Sequence, residues 1–106
     1  MTQDIPQYEI AQFNERHNVT EDQQFKALVE EVGELAEALN TEAGDDAVAE
    51  ELADIKFVAR SLAELRDINI TSELVETIAE NSEKDELKDG QKVTKQTSTK
   101  AISESD

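Results

Sequence analysis

The chain contains no cysteine and no tryptophan, and it has one histidine, one proline and three glycines in 106 residues. Without cysteine there is no disulfide framework, no thiolate metal site and no cysteine nucleophile. With one histidine and no cysteine, structural zinc is excluded in practice. The three glycines, Gly33, Gly44 and Gly90, are dispersed, so no glycine-rich phosphate loop exists. His17 has no evident serine and aspartate companions, which removes the triad chemistry of acyl transfer. No apolar run approaches the ~18 residues of a membrane span. Met1–Gln7 lacks the basic and apolar regions of a signal peptide, so a cytoplasmic location is expected. Positive charge is scarce too: 10 Lys and Arg against 26 Asp and Glu give a net charge of −16. That balance argues against nucleic-acid polymers and anionic membranes as partners. A small anionic substrate remains compatible, because a bound cation can reverse the local sign. The acidity would also suit a salt-adapted host, although lysine outnumbering arginine speaks against that.

What the chain has instead is helical periodicity. Phe25, Leu28, Val29, Val32, Leu35, Ala36 and Leu39 recur at amphipathic-helix spacing, as do Val48, Leu52, Ile55, Ala59 and Leu62. Phe25 is read as a core residue of the first stripe. Each helix carries a second seam at i, i+4, i+7 and i+11: Ala27, Glu31, Glu34 and Ala38 in one, Ala47, Glu51, Asp54 and Val58 in the other. Small or apolar residues thus bracket two carboxylates, twice over. The link between the helices, roughly Asn40 to Asp46, is short, and short links make antiparallel neighbours. If the two seams face each other, Glu31, Glu34, Glu51 and Asp54 converge. Carboxylates sharing a partly buried space need a counter-charge, and a hard divalent cation with oxygen ligands, Mg²⁺ or Mn²⁺, supplies one.

The rest of the chain supports this pair. A short helix is expected from Pro6 in its first turn to about His17-Asn18. Thr20-Glu21-Asp22-Gln23 reads as a capping box opening the long helix. Ala43-Gly44-Asp45-Asp46 is a turn in which Asp45 or Asp46 caps the third helix, which runs to about Arg66. Thr71 or Ser72 is expected to cap a fourth, with Leu74, Val75, Ile78 and Ala79 as its stripe. Beyond Asn81 the apolar pattern fails, and 95–106 reads as disordered. The expectation is an all-α antiparallel bundle of about four helices, residues 1–90, with a polar tail over 91–106. One copy offers a thin core, so completion by homo-oligomerisation is expected.

The run Leu28-Val29-Glu30-Glu31-Val32-Gly33-Glu34-Leu35-Ala36-Glu37-Ala38-Leu39, followed by Glu51-Leu52-Ala53-Asp54, resembles the Glu-Glu-x-x-Glu…Glu-x-x-Asp signature of the MazG-like all-α nucleotide pyrophosphohydrolases. The similarity covers roughly 7–90 and is concentrated in 25–65. It implies Mg²⁺-dependent hydrolysis of a nucleoside triphosphate to monophosphate and pyrophosphate, in nucleotide-pool house-cleaning. It also implies a homodimer or homotetramer with sites near the subunit interface. On the same ground Glu31, Glu34, Glu51 and Asp54 are the metal ligands, and Glu30, about 100° round the helix, is a supporting or water-orienting carboxylate. Lys56, Asn81 and Lys84 are candidate phosphate contacts, with Lys88 beside them, although the wording there departs from the family's common patterns. For Lys56 and Arg60, ion pairing with nearby glutamates is the competing reading. Phe13, His17 and Phe25 are candidates for contact with the base. Two other functions compete: phosphoribosyl-ATP pyrophosphatase, and an acidic helical interaction module without catalysis.

Overall fold

The computed structural model describes residues 4–87. Among them are four helices and no strands: α1 (Gln7–Arg16), α2 (Glu21–Asn40), α3 (Asp45–Leu65) and α4 (Ile70–Leu87). The all-α expectation holds. The chain divides between Asn69 and Ile70 into two compact units.

In the first unit local chemistry sets the helix ends. Pro6 stands at the N-cap of α1, one position ahead of the expected first-turn site. At α2 the capping box forms as read: Gln23 N donates to Thr20 Oγ1 at 3.2 Å, and Thr20 N donates to Gln23 Oε1 at 3.1 Å. At α3 the expectation fails. Gly44 is the N-cap with φ 92°, so Asp45 and Asp46 fall inside the first turn. A glycine adopts that φ without steric cost, and the aspartates then oppose the helix dipole from within the turn. Helices α1 and α3 stop in the same way, each with a left-handed residue after its C-cap: Asn18 (φ 52°) and Asp67 (φ 57°). Asn18 N and Val19 N return to Glu15 O and Asn14 O, and Asp67 N and Ile68 N return to Glu64 O and Ala63 O. This is the Schellman pattern, here with Asn and Asp in the usual glycine position.

Helices α2 and α3 run antiparallel. Arg66, just past the end of α3, makes a two-pronged bond to Glu21 at the start of α2, with Nε to Oε2 at 2.7 Å and Nη2 to Oε1 at 2.9 Å. Helix α1 packs on α3, where Phe13 meets Phe57 edge-on at 4.9 Å. Among the described residues the buried apolar ones are Ile10, Val58 and Ala63.

Between them lies a polar knot. Ser61 is fully buried, and Asn14 and Gln24 are buried beside it. Ser61 Oγ donates to Asn14 Oδ1 (2.6 Å) and accepts from Gln24 Nε2 (2.9 Å), while Asn14 Nδ2 donates to Ser61 O (3.1 Å). One side chain from each helix is satisfied through a single hydroxyl, which fixes how the three helices meet. Ser61→Ala removes that hydroxyl and strands two buried groups. It should cost about 1–3 kcal/mol, read as a lower midpoint in urea at unchanged slope.

The α2 stripe behaves differently from its reading as a core face. Leu28 and Leu35 are half-buried, but Phe25, Val29, Val32 and Leu39 are exposed. Phe25 is therefore not a core residue of the single chain. The seam of Ala27, Glu31 and Ala38 is half-buried instead, on the side of α2 that meets α3.

In the second unit α4 begins at Ile70, so Thr71 and Ser72 lie within its first turn rather than capping it. The helix continues past Asn81, where the apolar pattern fails, to Leu87. Leu74, Val75 and Ile78 are exposed. The proposed tail over 91–106, with Lys88, lies outside the described residues.

Candidate metal centre

Antiparallel pairing of α2 and α3 brings the two bracketed seams together. Glu31 from α2 and Glu51 and Asp54 from α3 each offer an oxygen, and these atoms lie within 4.8 Å of one another. The flanking Ala27, Ala38 and Ala47 are half-buried and Val58 is buried, so the carboxylates sit in the helix contact rather than on a free face. Glu31 and Glu51 are half-buried and Asp54 is exposed. Glu34 stays outside the tight group, but its carboxylate is close enough to raise the carboxyls of both Glu31 and Glu51. Glu30 is exposed beside them.

The electrostatics are those of a site short of positive charge. Loss of solvent around Glu31, its hydrogen bond with Glu51 and the negative charges of Asp54 and Glu34 push its carboxyl from 4.5 up to about 7. Glu51 is also raised, first by loss of solvent; its bond with Glu31 opposes the rise, and Glu34 and Asp54 add to it. Both carboxyls therefore favour keeping a proton, Glu31 most clearly. Even so, Oε1 of Glu31 and Oε1 of Glu51 are buried without a hydrogen-bond partner. A buried acceptor left unpaired is costly.

The cations nearest in sequence do not supply what is missing. Lys56 pairs with Asp4 at 3.1 Å, and Arg60 lies 3.5 Å from the same carboxylate. Arg60 also donates to Gln7 Oε1 (2.8 Å) and to Ile5 O. Both cations project to the α1 side of α3, Arg60 about 180° round the helix from Glu51. Their partners are thus the residues leading into α1 rather than the neighbouring glutamates. No local pattern announces Asp4 as that partner, because the contact spans 52 residues.

The donor set fits a hard divalent cation. It is all oxygen and anionic, and two of its residues, Glu31 and Glu51, each carry a buried oxygen without a hydrogen-bond partner. Of the other candidates, Phe13 is engaged by Phe57 and, at 4.5 Å, by His17. Phe25 is exposed on α2. Asn81 and Lys84 lie about one turn apart on α4, in the second unit.

Comparison with known proteins gives one match. A family model described as the MazG nucleotide pyrophosphohydrolase domain matches residues 19–86. The matched stretch contains α2, α3 and all four carboxylates, and leaves α1 outside. No curated protein and no solved structure matches the chain.

Proposed function

The chain belongs to the MazG nucleotide pyrophosphohydrolase family, and from that premise we propose that it hydrolyses nucleoside triphosphates to monophosphate and pyrophosphate with Mg²⁺, or Mn²⁺, as cofactor. The observation that supports this reading most is the pair of orphaned carboxylate oxygens, on Glu31 and Glu51, inside a cluster of carboxylates. A divalent cation bound there supplies charge for the phosphate oxygens and a water of lowered pKa.

In this reading Glu31, Glu51 and Asp54 hold the cation and Glu34 completes the set. Their rigid mounting on two long helices fixes where the phosphates lie. Glu30, exposed at the edge, accepts the proton of the attacking water. The water oxygen joins the α-phosphorus, the bond from that phosphorus to the bridging oxygen breaks, and pyrophosphate leaves with the electron pair. Asn81 and Lys84 are proposed phosphate contacts. Lys56 joins them only by releasing Asp4. The working unit is a homo-oligomer in the cytoplasm, and the biological role is clearance of modified or surplus nucleotides.

The test is product analysis in H₂¹⁸O, over a panel of ribo- and deoxyribonucleoside triphosphates and phosphoribosyl-ATP. The expected result is pyrophosphate together with a monophosphate that carries the label. Label in the pyrophosphate would place attack at the β-phosphorus. Turnover of phosphoribosyl-ATP alone would move the chain to histidine synthesis. No turnover of any compound would favour an interaction module.

A further inference from the structure

The buried hydrogen bond between Gln24 and Ser61 stands in a fixed relation to the carboxylate cluster. Gln24 lies 7 and 10 residues before Glu31 and Glu34, and Ser61 lies 7 and 10 residues after Asp54 and Glu51. Seven residues bring a helix back to within about 20° of the same face, about 10 Å along its axis. In an antiparallel pair, setting Gln24 level with Ser61 therefore sets Glu31 level with Asp54 and Glu34 level with Glu51. The bond is made, Gln24 Nε2 to Ser61 Oγ at 2.9 Å. Oxygens of Glu31, Glu51 and Asp54 come within 4.8 Å of one another.

The cluster does not favour this register by itself. Its carboxylates repel one another, and the residues bracketing them at 27, 38 and 47 are all alanine. A slip of four residues, about one turn, would set Glu31 level with Val58 and Glu51 level with Ala38. Carboxylates would then have apolar neighbours in place of each other, and Ser61 would be level with Leu28, away from Gln24. The short link over 41–44 restrains one end of the pair. The Gln24–Ser61 bond holds the other, beside the exposed Arg66–Glu21 pair. Fixing register is the best-attested use of a buried polar contact between helices. Asn14 prepares that contact. Ser61 Oγ donates its proton to Asn14 Oδ1 at 2.6 Å, which leaves its lone pairs for the Gln24 amide. Asn14 stands on α1, outside the stretch that the family model matches.

We infer that Gln24 and Ser61, with Asn14 behind them, are positioning residues for the carboxylate cluster: they set the register in which α2 and α3 bring its oxygens together. The consequence for cation binding rests on the reading proposed above. The register itself is a property of the metal-free chain.

The variant that tests this is Gln24→Met in the full chain. It strands no donor, because Ser61 Oγ still donates to Asn14. The expected result is an intact helical spectrum with Mn²⁺ affinity at pH 8 lowered about 10–100-fold, the usual loss when a support of metal ligands is removed. Ile10→Val trims a buried residue of α1; it should lower the melting temperature and leave the affinity as in the wild type. An unchanged affinity in Gln24→Met, or an equal loss in Ile10→Val, would overturn the inference. The register is read separately in EDTA. The chain has no cysteine, so nitroxides at Lys26→Cys and Ala53→Cys, exposed on α2 and α3, label it cleanly. Dilution with unlabelled chain isolates the distance within one copy. The labelled wild type should give one narrow distance, and Gln24→Met a broader or displaced one. The same narrow distance in both would overturn the inference whatever the affinities. Should Gln24→Met fail to fold, Gln24→Leu with Ser61→Ala takes its place with the same expectations, since it removes the amide together with its acceptor. A wild type that binds no Mn²⁺ would count against the cation site alone, and the distances would still decide the register.

Discussion

Replacing Glu31 by glutamine should stabilise the metal-free protein and abolish its turnover. Both effects come from one cause. Glu31 holds its proton up to about pH 7 because it is crowded by Glu51, Asp54 and Glu34 in a space short of water. A glutamine amide can donate to Glu51 and never ionises. The gain should therefore appear at pH 8, as a higher melting temperature in the presence of EDTA, and vanish at pH 5, where wild-type Glu31 is already neutral. The same substitution removes an anionic ligand. Losing an outer support of a metal ligand costs roughly 10–100-fold, so losing the ligand itself should cost at least about 100-fold in kcat/KM. Asp54→Asn should match it in turnover. Its stabilising effect should be smaller, since Asp54 is exposed. A Glu31→Gln enzyme that turned over normally would remove the carboxylate from the chemistry. One that was less stable at pH 8 would mean the cluster is not short of positive charge.

Mg²⁺ should raise the melting temperature of the wild type, and the rise should grow with pH. A ligand at 100 times its Kd stabilises by about 2.7 kcal/mol. At about 4–8 °C per kcal/mol for a chain of this size, the shift is about 10–20 °C. The pH dependence has a definite sign. The folded state keeps the Glu31 proton to about 7, whereas the unfolded chain releases it near 4.5. Folding therefore binds protons in that interval. The metal-free protein is most favoured below it and loses that contribution as pH rises through 7. Cation binding displaces the same proton, so it is weak at pH 5 and full at pH 8. Melting curves at pH 5, 6, 7 and 8, with EDTA or Mg²⁺, should diverge upward in pH. A shift of equal size at every pH, or one retained in Glu51→Gln, would point to diffuse screening of a chain carrying −16.

The fold was readable wherever the signal was local. The capping box at Thr20 formed because four consecutive residues determine it. The antiparallel α2–α3 pair followed from a short link, and the convergence of Glu31, Glu51 and Asp54 followed from two seams of equal spacing. What could not be read depends on contacts distant in sequence. Asn14, Gln24 and Ser61 look like surface residues by composition, yet they form the buried centre, because one hydroxyl satisfies both amides. Lys56 found Asp4, not a neighbouring glutamate. Phe25 has the periodicity of a core residue and is exposed in the single chain. Periodicity reports that a face is apolar; it does not report whether α3 or a second copy covers it. At α3 and α4 several polar residues competed for the cap, and backbone geometry chose Gly44 in one case and an earlier start in the other.

The central claim is that the cluster between α2 and α3 is a specific cation site. Calorimetric titration of Mg²⁺ at pH 6.5, in two buffers of different ionisation enthalpy, tests it most directly. The account predicts saturable binding by the wild type with release of on the order of one proton, and no such binding by Glu51→Gln or Asp54→Asn proteins that remain helical. Equal heats and equal affinities in wild type and variants would contradict it, and would leave the carboxylates as an acidic helix contact without a bound metal.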